Sequence, residues 1–193
     1  MIDYYKVNYD LMRSFYPLSR EVYDKLYAIA ELKQFKAGTK LVDIGEVSRK
    51  LFLINKGVLR SYLIMENGRE LTKTLFTPIE FFASFTSMLT NKPSEFIYET
   101  LTDCHVYEIN YEAFVNLCNT NTEVLKFYSR YLEFLFIAGE STFIAISSMN
   151  AKERYLKLKE RIPNIENLIP QYQIASYLNI TAVQLSRIRS KLY

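Results

Sequence analysis

Residues 50–76 read KLFLINKGVLRSYLIMENGRELTKTLF. Three short runs rich in β-branched and aromatic residues are separated by Gly57 and by Asn67-Gly68, the pattern of short strands joined by sharp turns. Asn67-Gly68 lies between SYLIME and RELTKTL, and because both residues tolerate positive φ, the pair predicts a tight hairpin turn. KLVDIG (40–45) and CHVYEI (104–109) repeat the pattern, with Gly38 and Gly45 as further punctuation, so a β-barrel or sandwich is expected from Leu32 to about Glu108.

Helical patterns flank this region. Upstream, Ser19 caps REVYDKLYAIAEL (20–32), with Glu21 in the first turn and Val22, Leu26 and Ile29 at helical spacing. Downstream, residues 111–119 read as a short helix and residues 121–149 as one ~43 Å long at 1.5 Å per residue. Along it, Val124, Tyr128, Tyr131, Leu135, Ala138 and Thr142 step by alternating three and four, and Leu125, Leu132, Phe136, Gly139, Phe143 and Ile146 form a second seam. Two seams need two partners. One covers the chain's own β-domain, and the other, assigned here to the Val124 series, pairs with a second subunit. The alternative is a helix buried inside one domain. Glu133 and Glu140 argue against a membrane span, where a central carboxylate costs ~2.5–3.5 kcal/mol.

Asn150 caps AKERYLKLKERI (151–162), and Pro163 and Pro170 lead into QYQIASYLNITAVQLSRIRSKLY (171–193). Ile174, Ala175 and Leu178 form the inner face of a first helix, Asn179-Ile180 a turn, and Val183, Leu185, Ile188 and Leu192 the inner face of a second. This spacing fits a helix-turn-helix, with Asn179 in the left-handed conformation and Thr181 as cap. The second helix would then display Ala182, Gln184, Arg187 and Lys191, flanked by Ser186, Arg189 and Ser190. Gln can bond adenine and Arg guanine bidentately in the major groove, Thr181 and Lys191 suit phosphates, and Tyr172 and Gln173 reach the DNA backbone. A merely amphipathic helix pair with a solvated face is the alternative for this segment.

Charge agrees with a polyanion-binding tail. Residues 151–193 hold eight Lys or Arg against three Glu, a net +5 in a chain whose total is +3, leaving −2 for the rest. With 16 Tyr, 13 Phe, no Trp and 49% apolar residues, the composition is that of a packed globular protein. The N-terminal MIDYYKVNYD has neither a basic nor an apolar leader region, so a cytoplasmic location is expected and no membrane association. Cys104 and Cys118 are the only cysteines and His105 the only histidine, which excludes a disulfide framework and leaves no metal or other cofactor expected.

LFLINKGVLRSYLI (51–64) and IASYLNITAVQLSRIRSKL (174–192), in the order barrel, long helix, helix-turn-helix, resemble the cyclic-AMP receptor protein and fumarate-nitrate regulator (Crp/Fnr) family of transcription regulators over nearly the whole chain. The resemblance implies an α+β fold. Its parts would be a double-stranded β-helix or jelly roll of the cyclic-nucleotide-binding type (residues 1–120), a dimerisation helix (121–149) and a winged-helix-type helix-turn-helix (150–193). It implies a homodimer on a palindromic double-stranded DNA site, with a small-molecule effector as a possible further partner. The family's phosphate cassette has a Gly-Glu pair and, ten residues after the Glu, an Arg; in FFASFTSMLTNKPSEFIYET (81–100) these positions are Ala83-Ser84 and Ser94, beside Pro93 and Glu95. Without the guanidinium a cyclic phosphate loses a strong charge-assisted contact, so the effector is not expected to be a typical cyclic nucleotide. Tyr62, Phe82, Ala83, Ser84, Pro93, Ser94, Glu95 and Tyr98 could line a pocket for a small neutral or aromatic ligand, or fill a vestigial one. In the DNA-reading helix the resemblance puts Arg187 on a base-reading arginine, whereas Ala182 and Val183 stand where well-known members carry Arg and Glu, which predicts a different target sequence.

An enzyme is disfavoured by the lack of a phosphate loop, a nucleophile-His constellation or spaced metal ligands, and one histidine cannot build a metal-dependent cupin. The rival to a DNA-binding regulator is a sensor or protein-interaction module in which the terminal helices bind another protein.

Overall fold

Strands buried on one face alternate apolar and polar residues, but the run Leu51–Ile54 is apolar throughout, which requires cover on both faces. The computed structural model, which describes residues 3–192, supplies that cover. Strands β1 (Ala30–Phe35), β2 (Lys40–Val42), β3 (Lys50–Lys56), β4 (Leu59–Ile64), β5 (Glu70–Phe76), β6 (Glu80–Phe82), β7 (Ile97–Thr100) and β8 (Cys104–Asn110) form two four-stranded sheets, ordered β1-β8-β3-β6 and β2-β7-β4-β5. All pairings are antiparallel, and the sheets enclose a core of Val42, Phe52, Ile54, Leu59, Phe82, Tyr98, Cys104 and Val106. The architecture is a jelly-roll-like barrel with helices on both outer faces.

The first sheet is covered by α1 (Tyr4–Phe15), α2 (Arg20–Ala28), α4 (Tyr111–Thr120) and the start of α5 (Thr122–Ser148), around Met12, Val22, Tyr23, Leu26, Phe114, Val124 and Phe127. Leu51 and Phe81 from the barrel's outside join this core. Buried Asn8 of α1 and Asn55 of β3 bond each other through both amides, at 2.6 and 3.3 Å. The second sheet is covered by α6 (Ala151–Arg161), α7 (Ile165–Leu168), α8 (Gln171–Tyr177) and α9 (Ala182–Ser190), whose core includes Val58 and Leu75 of the barrel. A short α3 (Phe85–Thr90) follows β6.

Several expectations change. Helix α1 is absent from the sequence reading, because its buried face uses Asn8 and tyrosines instead of a Leu/Ile stripe. The helix expected over 20–32 ends at Ala28; Ala30 to Leu32 pair with Ile109 to Tyr107 in β8, so tertiary pairing overrides local propensity. The Asn67-Gly68 turn is wider than expected. Met65 N–H bonds Arg69 O at 2.9 Å and only Gly68 has positive φ (77°), giving a three-residue loop with the left-handed residue last. Ser19, Asn150 and Thr181 do cap α2, α6 and α9, the last two with a reciprocal capping box.

Gly57 sits at φ 95°, and a Cβ there would lie 2.5 Å from Cys104 Sγ and 2.6 Å from Asp103 O. Gly57→Ala should therefore cost about 3 kcal/mol, from positive-φ strain and overpacking together. A urea midpoint within experimental error of the wild type would contradict this account of the β3–β4 turn.

Candidate functional site

Helices α8 and α9 are joined by a turn built from local preferences. Leu178 closes α8, Asn179 takes the left-handed conformation (φ 52°), and Ile180 N–H reaches back to Ala175 O at 3.0 Å. Ala175, 3% exposed, keeps the helices close, and Ile174, Leu178 and Leu185 fill the contact between them. Thr181 then caps α9, accepting from Gln184 N–H, while the Gln184 side-chain oxygen accepts from Thr181 N–H at 2.9 Å.

The exposed surface of α9 carries Ala182, Val183, Gln184, Ser186, Arg187 and Ser190, followed by exposed Lys191. Thr181 and Tyr172 are exposed beside it. Three candidates change role. Gln173, expected at the DNA backbone, is 4% exposed and accepts from Arg60 Nη1 at 2.7 Å. Arg189 is half-buried and ion-paired to Glu166 at 2.7 Å, so it holds α9 to α7 instead of facing outward. Gln184 remains exposed, but its acceptor oxygen is engaged in the cap, which removes half of a bidentate adenine contact. Val183, expected in the inner face, is 60% exposed.

Arg60 is the functional residue that the sequence reading passed over. Its guanidinium is 4% exposed, donates from Nε and Nη2 to Glu99, from Nη1 to Glu70 at 2.6 Å and to Gln173, and lies 3.7 Å over the Tyr62 ring. The available signal was a cation inside an apolar strand, which survives burial only when paired and hydrogen-bonded. Around it, Ser176 Oγ accepts from Thr72 N–H at 3.0 Å and donates to Glu70 O, Arg69 donates to Asn179, and Arg161 donates to Leu75 O. The helix pair is thus seated on the outer face of β4 and β5 by a polar network around one buried charge.

The cassette positions lie inside the barrel without any charge. Ser84 Oγ and Ser94 Oγ are 2.8 Å apart, and Ser94 also donates to Phe96 O. Burial pushes the Tyr98 phenol up to about 12, and its hydroxyl donates to Ala83 O. Phe52 stacks on Phe82 at 4.8 Å, and Phe82 on Tyr98 at 6.0 Å, so the volume between the sheets is occupied by rings. Of the proposed pocket, Phe82, Ala83, Ser84, Ser94 and Tyr98 come together as a packed cluster. Pro93 and Glu95 are exposed, and Tyr62 belongs to the Arg60 network on the opposite face of the sheet.

The seam of α5 expected to meet a second subunit is the one whose first half packs on the chain's own barrel. Val124 and Tyr131 are buried and Tyr128 is half-buried against the chain's own barrel and α4, Tyr131 donating to Phe81 O at 2.9 Å. Leu135 and Ala138 are half-buried and Thr142 is exposed. The second seam is the open one, with Leu125, Leu132, Phe136, Gly139, Phe143 and Ile146 all exposed. Cys104 and Cys118 are free thiols in the core, where burial raises Cys118 to about 11. Among the described residues no cluster of His, Cys, Asp and Glu could hold a metal, and no helix is long and apolar enough to cross a membrane.

Residues 32–121 match the family model of the cyclic nucleotide-binding domain. No curated protein sequence matches the chain. Solved structures do. The c-di-GMP-responsive global regulator CLP of Xanthomonas campestris superposes with a TM-score of 0.71 at 15% identity, over 90% of this chain and 91% of that one. FixK2 from Bradyrhizobium japonicum gives 0.70 at 20% identity, over 85% and 84%. A protein of Eubacterium rectale assigned to the Crp/Fnr family of transcriptional regulators gives 0.67 at 18% identity, over 91% and 85%. At these identities the likeness establishes a shared fold.

Replacing Arg60 with Met would leave half-buried Glu99 without its cation and buried Gln173 without its donor. Arg60→Met should cost about 3 kcal/mol in a denaturant titration, the usual penalty for breaking a buried pair. A loss below about 0.5 kcal/mol, the range of an ordinary surface substitution, would show that the network does not hold the helices to the barrel.

Proposed function

We propose that this chain, which carries a cyclic nucleotide-binding domain and has the architecture of Crp/Fnr regulators, is a sequence-specific DNA-binding transcription regulator and not an enzyme. In this reading α8 and α9 are a helix-turn-helix of the winged-helix type, with α9 entering the major groove. Arg187 bonds a guanine edge, and Thr181, Lys191 and Tyr172 position the helix through phosphates. The observation that carries the reading is the outward face of α9. Arg187 and Lys191 are exposed there, and neither makes an ion pair among the described residues. The net +5 of residues 151–193 supports the same partner. Residues 1–120 then form the sensing domain, 121–149 the dimerisation helix and 150–193 the DNA-binding domain of a cytoplasmic protein.

Two copies are needed to read a palindrome, with recognition helices ~34–36 Å apart. The open seam of α5 supports a homodimer. Its residues recur at heptad spacing, and Phe136 and Phe143 are 69% and 71% exposed. The effector, where one acts, is not a typical cyclic nucleotide. A cyclic phosphate would bring a negative charge to a buried serine pair with no guanidinium to bind it, in a space already filled by Phe52, Phe82 and Tyr98.

Selection from a random DNA pool tests the function. Wild-type protein should recover an inverted repeat, and Arg187→Ala should relax one position per half-site at a cost of about 1–3 kcal/mol. An unenriched pool at low salt would favour a protein partner for these helices instead. Phe143→Glu should give a monomer in sedimentation equilibrium while keeping the wild-type far-ultraviolet circular dichroism. A persistent dimer would move the two-fold axis away from α5.

A further inference from the structure

Val183 is the one large apolar side chain exposed on the outward face of α9. It is 60% exposed, although Leu185, Ile188 and Leu192 of the same segment pack inward. A β-branched residue in the first turn of a helix lowers helix propensity, and here no place in the C-terminal core offsets that. Its surroundings are small or cationic: Ala182 precedes it, Ser186 and Ser190 continue the face, and Arg187 lies one turn further on. Small neighbours permit close approach of the helix backbone to a surface, and the cations define that surface as polyanionic. On the major-groove edge of DNA the apolar group is the 5-methyl of thymine.

We propose that Val183 contacts a thymine methyl, so that each half-site carries an obligatory T under the first turn of α9. This rests on the reading of α9 as a DNA-recognition helix. Val183 and Arg187 are four residues apart, a rise of ~6 Å along the helix, which is about two base-pair steps of ~3.4 Å. The thymine therefore lies within two base pairs of the guanine read by Arg187. A protein surface suits this face less well, because Ala182, Ser186 and Ser190 around the valine are too small to enlarge an apolar contact.

The test uses the full chain and the operator it selects. In that operator each thymine is replaced in turn by deoxyuridine, which removes only the methyl group, and binding of wild type and Val183→Ala is measured by fluorescence anisotropy. One replacement per half-site should weaken wild-type binding roughly fourfold, the worth of one buried methyl group. The same replacement should leave Val183→Ala unaffected, and 5-methylcytosine in place of that T should be tolerated better than cytosine. Unchanged thermal unfolding of Val183→Ala confirms that the fold is intact. Equal deoxyuridine effects in the two proteins, or no invariant T beside the Arg187 guanine, would overturn the assignment of Val183 while leaving DNA recognition standing. A pool that yields no operator overturns both.

Discussion

The barrel carries buried apolar residues on the outside of both sheets as well as inside, and these need cover. In β3, Phe52 and Ile54 face the interior while Leu51 joins the helical core outside; at the start of β4, Leu59 faces inward while Val58, just before the strand, joins the core of the C-terminal helices. Each outer face therefore needs a helical layer, and the layers differ in kind. Over β1-β8-β3-β6 the contact is aromatic and continuous, with Phe15, Phe81, Phe127 and Tyr131 edge to face. Over β2-β7-β4-β5 an apolar patch at Val58 and Leu75 adjoins the charged network of Arg60. An apolar interface tolerates sliding, whereas a guanidinium with fixed donors specifies one arrangement, so Arg60 sets the register of the helix pair on the barrel.

Arg60 and the cassette together show how this barrel distributes charge. Inside, the pair Ser84 and Ser94 is neutral, its hydroxyls satisfied by each other and by the Phe96 backbone. Outside, a guanidinium with two carboxylates and a carboxamide is nearly as buried as any core residue. The desolvation cost of such a network is large, and replacing all of its charged members together with apolar residues is often neutral or better, whereas removing the cation alone is costly. Its contribution is better understood as orientation. Gln173 adjoins the exposed Tyr172, and Ser176 and Asn179, which bond Thr72, Glu70 and Arg69, lie in α8 and its turn. Every one of these bonds ties the element preceding α9 to the β4–β5 hairpin.

The sequence disclosed those parts of the fold whose local signals agree with their tertiary setting. Strands β2, β3, β4, β5 and β8, the caps at Ser19, Asn150 and Thr181, the left-handed Asn179 and the length of α5 all follow from short-range rules. Parts decided by contacts distant in sequence did not. Helix α1 exists because Asn8 finds Asn55, and β1 starts early because β8 holds Ala30. On α5 both seams look alike in sequence, since Tyr128 and Tyr131 are as aromatic as Phe136 and Phe143; only the barrel's outer surface decides which seam is spent. The same holds at the candidate site. Arg187 and Lys191 were legible as outward residues, but a helix wheel cannot distinguish Gln173 facing a buried arginine from Gln173 facing solvent, nor foresee that Arg189 is held by Glu166.

The short edge strand β6 joins these layers. Its three residues each serve a different one. Phe82 stacks inside the barrel, Phe81 accepts the Tyr131 hydroxyl of α5 through its carbonyl, and Glu80 faces the charge of Arg161 at the end of α6 while burial raises its carboxyl above the ordinary range. The residue before it, Ile79, is held at φ 72°, a conformation that a β-branched side chain adopts only under constraint, and its N–H is fixed to Ile54 O at 2.7 Å. A strand paired on one side only, and strained at its entry, is easier to displace than a central one. Through Phe81 and Glu80 this strand joins the aromatic stack inside the barrel to α5 and to the end of α6.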